Sequence, residues 1–397
     1  MSKPTIIYTG SDGFPYGSAQ IQRQIQLSKS LLEVDFNVVV INRKGVVKKE
    51  IATREKLKIK GVYQGITYYY ASLFPHKSKS FLIRNLLKCL GLVGELYLLF
   101  NLKLVSRGDI MFCNTTNLKT LKYYYFVSKI LNIKLVYDYV EIISSLGNRG
   151  VLSYKDLKGS FDSTFYKFTD SIITISSYLQ NHLREIPIKK NILKIPPIID
   201  FEFIRNIENV NSKKQYFLFC GSAGYFDIIE FIIEAFLKSD SIENKFHLKL
   251  VISGSRDQLR NIDNILKNIK KSKNIEVLNN LSYKDLISKY KSSFALLIPL
   301  TEGVQDLARF PFKISEYTAS KRPIITSASG PISEYFFDGE NALIAQPNDV
   351  IDYSEKMNFL INNKEAADEI GEKGYFLGKE KFNYKSYSQQ LKKFIEN

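Results

Sequence analysis

Two stretches of this chain begin in the same way, and that repetition limits its fold more than any other feature. Residues 5–9, TIIYT, form a short apolar run that ends in a loop punctuated by Gly10, Gly13 and Gly17. The chain then enters Ser18–Leu32, where Ile21, Ile25 and Leu31 recur at helical spacing. Near Lys213 the pattern restarts with YFLFCGS, a loop at Gly221 and a helical run over Ile228–Leu237. Strand, glycine loop and helix open an α/β unit, and β-like and helix-like runs alternate after each opening, which predicts parallel sheets with helices on both faces. At 397 residues the chain exceeds a single core. The expected architecture is α/β, with two doubly wound domains over residues 1–205 and 206–375, followed by an amphipathic C-terminal helix in 376–397.

In the first half NVVVIN (37–42), ITYYYAS, DIMFCNT, KLVYDYVE, SIITIS and NILKIPPII read as strands, and LKTLKYYYFVSKIL as a helix. The Lys-rich segment 43–60 reads as a solvated excursion, and 150–170 as a linking helix. Residues 79–105 give a long helical pattern that is apolar on most faces and interrupted by Arg84, Lys88, Glu95 and Lys103. The expectation is a core crossover helix, the alternative a helix lying at a membrane interface. No run of eighteen or more apolar residues occurs, so no transmembrane helix is expected. In the second half the strands are YFLFCGS, HLKLVISG, NIEVLNN, ALLIPL, 323–326 and ENALIA.

Residues 299–330, PLTEGVQDLARFPFKISEYTASKRPIITSASG, form one strand–loop–helix–strand unit, with Pro311 expected at a first helical position. Lys313 and Glu316 lie three apart on that helix and so share a face. A cation and a carboxylate one turn apart suit a ligand with phosphate and vicinal hydroxyls, as in a nucleotide-sugar; a surface Lys–Glu pair has the same spacing.

Composition narrows the classes. With 45% hydrophobic and 24% charged residues the chain is globular rather than disordered. KPTIIYTG runs straight into a strand, so no signal peptide is expected. Cys89, Cys113 and Cys220 are odd in number and far apart, which favours reduced thiols in a cytosolic protein, and no His/Cys group has metal-ligand spacing. Residues 1–200 hold 29 Lys and Arg against 14 Asp and Glu, and the remainder 27 against 26. That asymmetry points the first half toward an anionic partner, a membrane surface or a nucleic acid. No RNP, KH or helix-turn-helix signature supports the nucleic acid. The first glycine loop is not GxGxxG, so a dinucleotide fingerprint is missing, although a loop of this kind can turn backbone amides toward an anion.

Taken together, FPYGSAQIQRQIQLSKSL, DSIITISSYLQNHL … ILKIPPIIDFEF, FCGSAGYFDIIEFIIEAF, LVISGS and SEYTASKRPIITSASGPISEYFFDGENALI resemble, in order and spacing, family 4 of the retaining glycosyltransferases (glycosyl transferases group 1). The resemblance covers nearly the whole chain. It implies the GT-B fold, with two Rossmann-like domains facing across a cleft and 376–397 crossing back to the first. It further implies a metal-independent enzyme without a cofactor that moves a sugar, with retention, from a nucleotide-sugar in the second domain to a lipid-linked or saccharide acceptor in the first. The expected setting is synthesis of cell-surface polysaccharide or glycolipid, on the cytoplasmic face of an anionic membrane.

Residue by residue, Glu316 matches the second glutamate of the family's E-x7-E motif, which grips the ribose hydroxyls, and Arg309 and Lys313 are expected to supply charge to the diphosphate. Gly221, Ser222, Gly254, Phe310 and Gly330 fall at donor-side positions. Gly17, Ser18, Asn114, Tyr139 and Glu141 fall on the acceptor side. The chain departs from the pattern at Ala308, which replaces the first glutamate, and at Val140, which replaces a histidine. Pro311 replaces part of a phosphate-binding glycine loop, and Ser222 and Tyr225–Phe226 stand where a basic pair is usual. A catalytically silent GT-B subunit scaffolding a membrane-associated partner enzyme is the alternative these departures motivate.

Overall fold

A computed structural model describes residues 3–17, 19–47, 49–143, 161–209, 214–267, 269 and 272–397. The chain divides into two units, Met1–Ile198 with Tyr384–Asn397, and Ile199–Asn383.

Unit 1 is built on an eight-stranded sheet of order β3-β4-β2-β1-β5-β6-β7-β8. Its strands are β1 Thr5–Thr9, β2 Asn37–Asn42, β3 Lys60–Tyr63, β4 Ile66–Tyr70, β5 Ile110–Cys113, β6 Lys134–Tyr139, β7 Ser171–Thr174 and β8 Asn191–Lys194. All neighbours are parallel except β3 and β4. Helices α1 Ala19–Leu32, α2 Lys49–Arg54, α3 Phe81–Ser106, α4 Leu118–Ile130 and α5 Ser177–Arg184 belong to this unit, as does the C-terminal α14 Ser388–Glu396. Ile6, Tyr8, Val38 and Val40 face a core shared with Ile21, Ile25, Leu391 and Phe394, so α1 and α14 cover one face of the sheet. On the other face α3 packs on β1 and β2, and α4 on β5 and β6.

Unit 2 carries six parallel strands in the order β11-β10-β9-β12-β13-β14. They are β9 Tyr216–Ser222, β10 His247–Ser253, β11 Ile275–Leu278, β12 Ala295–Ile298, β13 Ile324–Ser327 and β14 Leu343–Ala345. The helices are α6 Phe201–Arg205, α7 Phe226–Lys238, α8 Arg256–Lys267, α9 Tyr283–Lys291, α10 Val304–Ala308, α11 Lys313–Ala319, α12 Val350–Asn362 and α13 Lys364–Lys381. Phe217, Phe219, Leu248 and Leu250 join Ile229, Ile233, Met357 and Leu360 in its core. From β9 the chain steps outward to β10 and β11, then returns to β12 on the other side of β9. Loops leaving β9 and β12 therefore diverge, and such a switch point at the strands' carboxyl ends is where open α/β sheets bind ligands. In unit 1 the same reversal lies between β1 and β5.

Four readings of the sequence are corrected here. The first unit ends at Ile198 rather than 205, and the segment 376–397 is divided. Its start belongs to α13, whose Gly371, Gly374 and Gly378 press on unit 2; a Cβ at Gly378 would lie 2.3 Å from Thr318 Oγ1. Only Tyr384–Asn397 joins unit 1. Segment 43–60 is not merely solvated: it forms α2 and leads into β3, which turns antiparallel onto β4. Gln64 and Gly65 both have positive φ, 49° and 81°, as a two-residue type I′ hairpin requires. The helix predicted over 79–105 exists as α3 but is not a core helix, because only Leu87, Gly91, Glu95, Leu99 and Leu102 are buried. By length and composition α3 is also the one helix among the described residues that could cross a membrane. Of the predicted linking helix, 150–160 lies outside the described residues; Phe165–Phe168 is a 3₁₀ turn.

Candidate active site

The site builds up at the switch point of unit 2. The loop after β12 is held by Asp306, whose Oδ2 accepts from the Thr301 backbone N–H and hydroxyl, both at 2.9 Å. Its Oδ1 accepts from Arg309 Nη2 at 2.8 Å, one turn further on. Arg309 Nη1 donates to the Tyr225 hydroxyl, with the guanidinium carbon 4.9 Å from the ring centroid. The guanidinium from the β12 loop thus reaches the end of the β9 loop, where the resemblance led one to look for a basic pair. Arg309 Nε is buried with no partner among the described residues, leaving one N–H donor for a ligand.

Helix α11 starts at Lys313, two residues later than Pro311 would set it; Ile314 N–H donates to the Pro311 carbonyl at 3.0 Å. Lys313 is half-buried and makes no hydrogen bond or ion pair among the described residues. Glu316 is buried, and Tyr283 at the start of α9 donates its hydroxyl to Oε1 at 3.0 Å. Burial pushes the Glu316 carboxyl up to about 7, against the opposing pulls of Lys313 and the Tyr283 hydrogen bond. Near neutral pH it is therefore poised between a proton donor and an acceptor. Burial raises the Cys220 thiol in β9, with Lys313 pulling it down and Glu316 pushing it up.

The other donor-side positions divide between backbone and core. Gly330 has φ +54° and presses on α10, where a Cβ would lie 2.6 Å from the Asp306 carbonyl oxygen. A Cβ at Gly254 would lie 2.7 Å from that of Ala223, so the loops after β9 and β10 touch through it. At Gly221 a Cβ would collide with the Phe219 ring at 2.6 Å. Ser222 Oγ accepts from Gly224 N–H at 3.2 Å and shapes the β9 turn. Phe310 is placed in the core, stacked on Tyr335 with ring centroids 5.3 Å apart and edge-on to Phe382. Ala308 is wholly buried.

In unit 1 the predicted acceptor-side residues serve the fold first. Arg23 and Asp138 form a buried bidentate pair at 2.9–3.0 Å, and Arg23 Nη1 donates to the Pro196 carbonyl at 3.1 Å. Asn114 is drawn into this cluster, accepting from Gln20 Nε2 at 2.7 Å and donating to the Asp138 carbonyl at 3.2 Å. Tyr139 packs at a tilt against Phe165 with centroids 4.5 Å apart, fully buried. Gly17 lies against Ile21, Glu141 and Val140 are half-buried, and Ser18 lies outside the described residues. The glycine loop does not offer all its amides to an anion, since Asn42 Oδ1 accepts from Gly13 and Phe14 N–H at 2.9 and 3.0 Å.

Sequence reading missed Tyr283, Thr301 and Asp306. Asp306 carried a signal in its three-residue spacing from Arg309. Tyr283 carried none, being 33 residues from the carboxyl it holds. Among the described residues no group of His, Cys, Asp and Glu could hold a metal ion.

Residues 200–376 match the family model described as Glycosyl transferases group 1. An uncharacterized glycosyltransferase of Methanocaldococcus jannaschii is 27% identical over 269 residues, 64% of this chain and 68% of that protein. Among solved structures, sucrose-phosphate synthase from Thermosynechococcus elongatus superposes with a TM-score of 0.75 at 13% identity, covering 99% of this chain and 98% of the other. Anabaena HepE in complex with UDP-glucose gives a TM-score of 0.70 at 13% identity, with 99% of both chains covered. Residues 200–376 therefore carry a glycosyl transferases group 1 domain, and the chain as a whole has the two-unit GT-B fold.

Proposed function

We propose that unit 2 holds a nucleotide-sugar and that its sugar is transferred, with retained anomeric configuration and without a metal ion, to a lipid-linked or saccharide acceptor in cell-surface polysaccharide or glycolipid synthesis. The observation that carries the reading is a buried carboxyl at the switch point, Glu316, with Lys313 one turn before it on α11 and Arg309, anchored to Asp306, in the loop that leads into that helix. A carboxylate can accept from both ribose hydroxyls, and the cations can take up the charge that grows on the leaving diphosphate. Preorganised charge of this kind is commonly the largest catalytic effect in group transfer. In balance, the anomeric C–O bond to the diphosphate breaks and a bond to the acceptor oxygen forms on the same face. The acceptor proton passes to the departing phosphate oxygen. The complexes of HepE with UDP and UDP-glucose support a uridine nucleotide-sugar as the first donor to try.

The experiment is a product assay with purified chain, a panel of nucleotide-sugars and EDTA. Transfer that survives EDTA and gives the retained anomer by NMR is expected. Inversion, or strict dependence on Mg²⁺ or Mn²⁺, contradicts the mechanism. One observation favours a second reading, that of a silent scaffold subunit: Ala308 is buried where a sugar-orienting carboxylate would stand. Donor hydrolysis or glycan product from the single chain excludes it.

A further inference from the structure

Helix α3 crosses unit 1 from β4 to β5 and is about 39 Å long at 1.5 Å per residue. Its inner face is bound tightly. A Cβ at Gly91 would lie 2.1 Å from the Arg43 carbonyl oxygen, and one at Gly94 2.4 Å from that of Ala71, so the helix backbone rests directly on the chain beneath it. Glu95, wholly buried, fixes the rotation about the helix axis. Its carboxylate accepts from Arg43 Nε at 2.7 Å, from the Tyr124 hydroxyl at 2.7 Å and from the Thr9 hydroxyl at 2.8 Å. The outer face is therefore presented in one orientation, and a span across a bilayer is excluded by the same contacts.

On that outer face Leu86, Leu90, Val93, Tyr97, Phe100 and Leu104 follow one another at spacings of four and three, each between 45 and 68% exposed. At 100° per residue they fall within one arc opposite Leu87, Gly91 and Glu95, and no charged residue of α3 lies in that arc. Exposed Phe126 and Ile130 on the neighbouring α4 add to the apolar surface. The segment that carries α3 is cationic, for residues 56–137 contain thirteen Lys and Arg and only two acids, Glu95 and Asp109. Glu95 is buried and Asp109 is paired with Lys103.

From this geometry we infer that the outer arc of α3 is a docking surface for an anionic lipid bilayer, with the helix lying in the interface plane and the cationic unit that carries it drawn to the acidic headgroups. The 4-3-4-3-4 spacing is equally that of a helix seam, so a second copy of the chain is the competing occupant. Charge decides between them. Two copies would bring like-charged surfaces face to face, whereas acidic headgroups neutralise them and reward each nearby Lys or Arg. An apolar arc with Tyr97 and Phe100 within it, on a cationic unit, is what interfacial insertion needs. The surface goes beyond the donor site, and its test reads lipid binding alone, so failure here leaves the donor reading standing.

The chain contains no tryptophan, which makes insertion directly visible. Tyr97→Trp and, separately, Phe100→Trp place one indole in the arc; Phe376→Trp places one at an exposed position of unit 2 as a control. Each is titrated with vesicles of 70% phosphatidylcholine and 30% phosphatidylglycerol, and with phosphatidylcholine alone, with and without brominated acyl chains. The expected result is a blue shift and bromine quenching for the α3 indoles with anionic vesicles only, lost in high salt, and neither for the control. Changing Lys77 and Lys79, which precede the first turn of α3, together to Ser, in a protein of unchanged Tm, is expected to weaken binding about twenty-fivefold, at about fivefold per cation. No shift with either vesicle, equal shifts with both, or a blue shift that follows protein concentration without lipid while the protein sediments as a dimer would each overturn the inference.

Discussion

Helices α3 and α9 occupy the same place in their units. Each carries the chain back across the sheet to a strand beside the first, α3 from β4 to β5 and α9 from β11 to β12. Topology therefore asks the same of both, yet α3 has 26 residues and an apolar outer arc, while α9 has nine and carries Lys284, Asp285, Lys289 and Lys291. Helix α9 stays local to the chemistry: Ser282 caps it, and its first residue, Tyr283, reaches Glu316. The difference shows that a crossover need only span the sheet, and that whatever exceeds this need is free to take on another task. In unit 2 the fold's requirement and the site's coincide. In unit 1 the outer arc of α3 is not used by the fold.

Substitutions that strike one side of this comparison and spare the other sharpen it. The largest effect is expected from Glu316→Ala, which removes the carboxylate but no apolar packing: kcat/KM falls by at least about 10³-fold with Tm unchanged or raised. Near-wild-type transfer by the folded variant would remove Glu316 from the site. In unit 1, Glu95→Ala leaves Arg43 half-buried without its carboxylate and is expected to cost roughly 3 kcal/mol in a denaturant titration. A loss under 1 kcal/mol would mean that the rotation of α3 is set by the glycine contacts alone. Lys313→Ala should lower kcat about 10²-fold, the scale of one lost charge-stabilising group. If instead Arg309→Ala is severe and Lys313→Ala silent, the phosphate role belongs to the arginine.

Titration separates burial from chemistry at Glu316. The folded carboxyl keeps its proton up to about 7, while the ordinary value is 4.5, so folding takes up a proton between them. Stability then falls as pH rises through that window and is lower by roughly 3 kcal/mol above it. Glu316→Gln is expected to abolish this slope, so that Tm of variant and wild type agree at pH 4.5 and the variant is the more stable at pH 8. The smallest effect is expected from Tyr283→Phe. Removal of the hydrogen bond that pulls the Glu316 carboxyl down shifts the acid limb of the rate profile toward higher pH, with a change in stability of about 1 kcal/mol. An unshifted profile would show that Tyr283 only packs.

Much of this was legible in the sequence, and what was not has a common cause. Short apolar runs punctuated by glycine located the strands of both sheets, because a parallel strand buried on both faces has little choice of residue. Local spacing found Lys313 and Glu316 on one helix, and Arg309 just before it. It could not find Tyr283, whose contact is made by topology rather than by neighbourhood. The resemblance put Phe310 on the donor side and Asn114 on the acceptor side, and local spacing could not show that Phe310 packs on Tyr335 or that Asn114 joins the Arg23–Asp138 cluster. For α3 composition alone was ambiguous, since an apolar helix reads alike whether its second face is covered by protein or by something else. Only Gly91, Gly94 and Glu95, seen in contact, tell which face is inward.

The central claim is that unit 2 recognises a nucleotide-sugar through Glu316, and thermal shift tests it most directly. A ligand that binds only the folded chain raises Tm by mass action. With UDP-glucose and a panel of other nucleotide-sugars, in EDTA, at least one donor should raise the Tm of the wild type, and the rise should disappear in Glu316→Ala. A full rise in Glu316→Ala, or no rise with any nucleotide-sugar in the wild type, would contradict it.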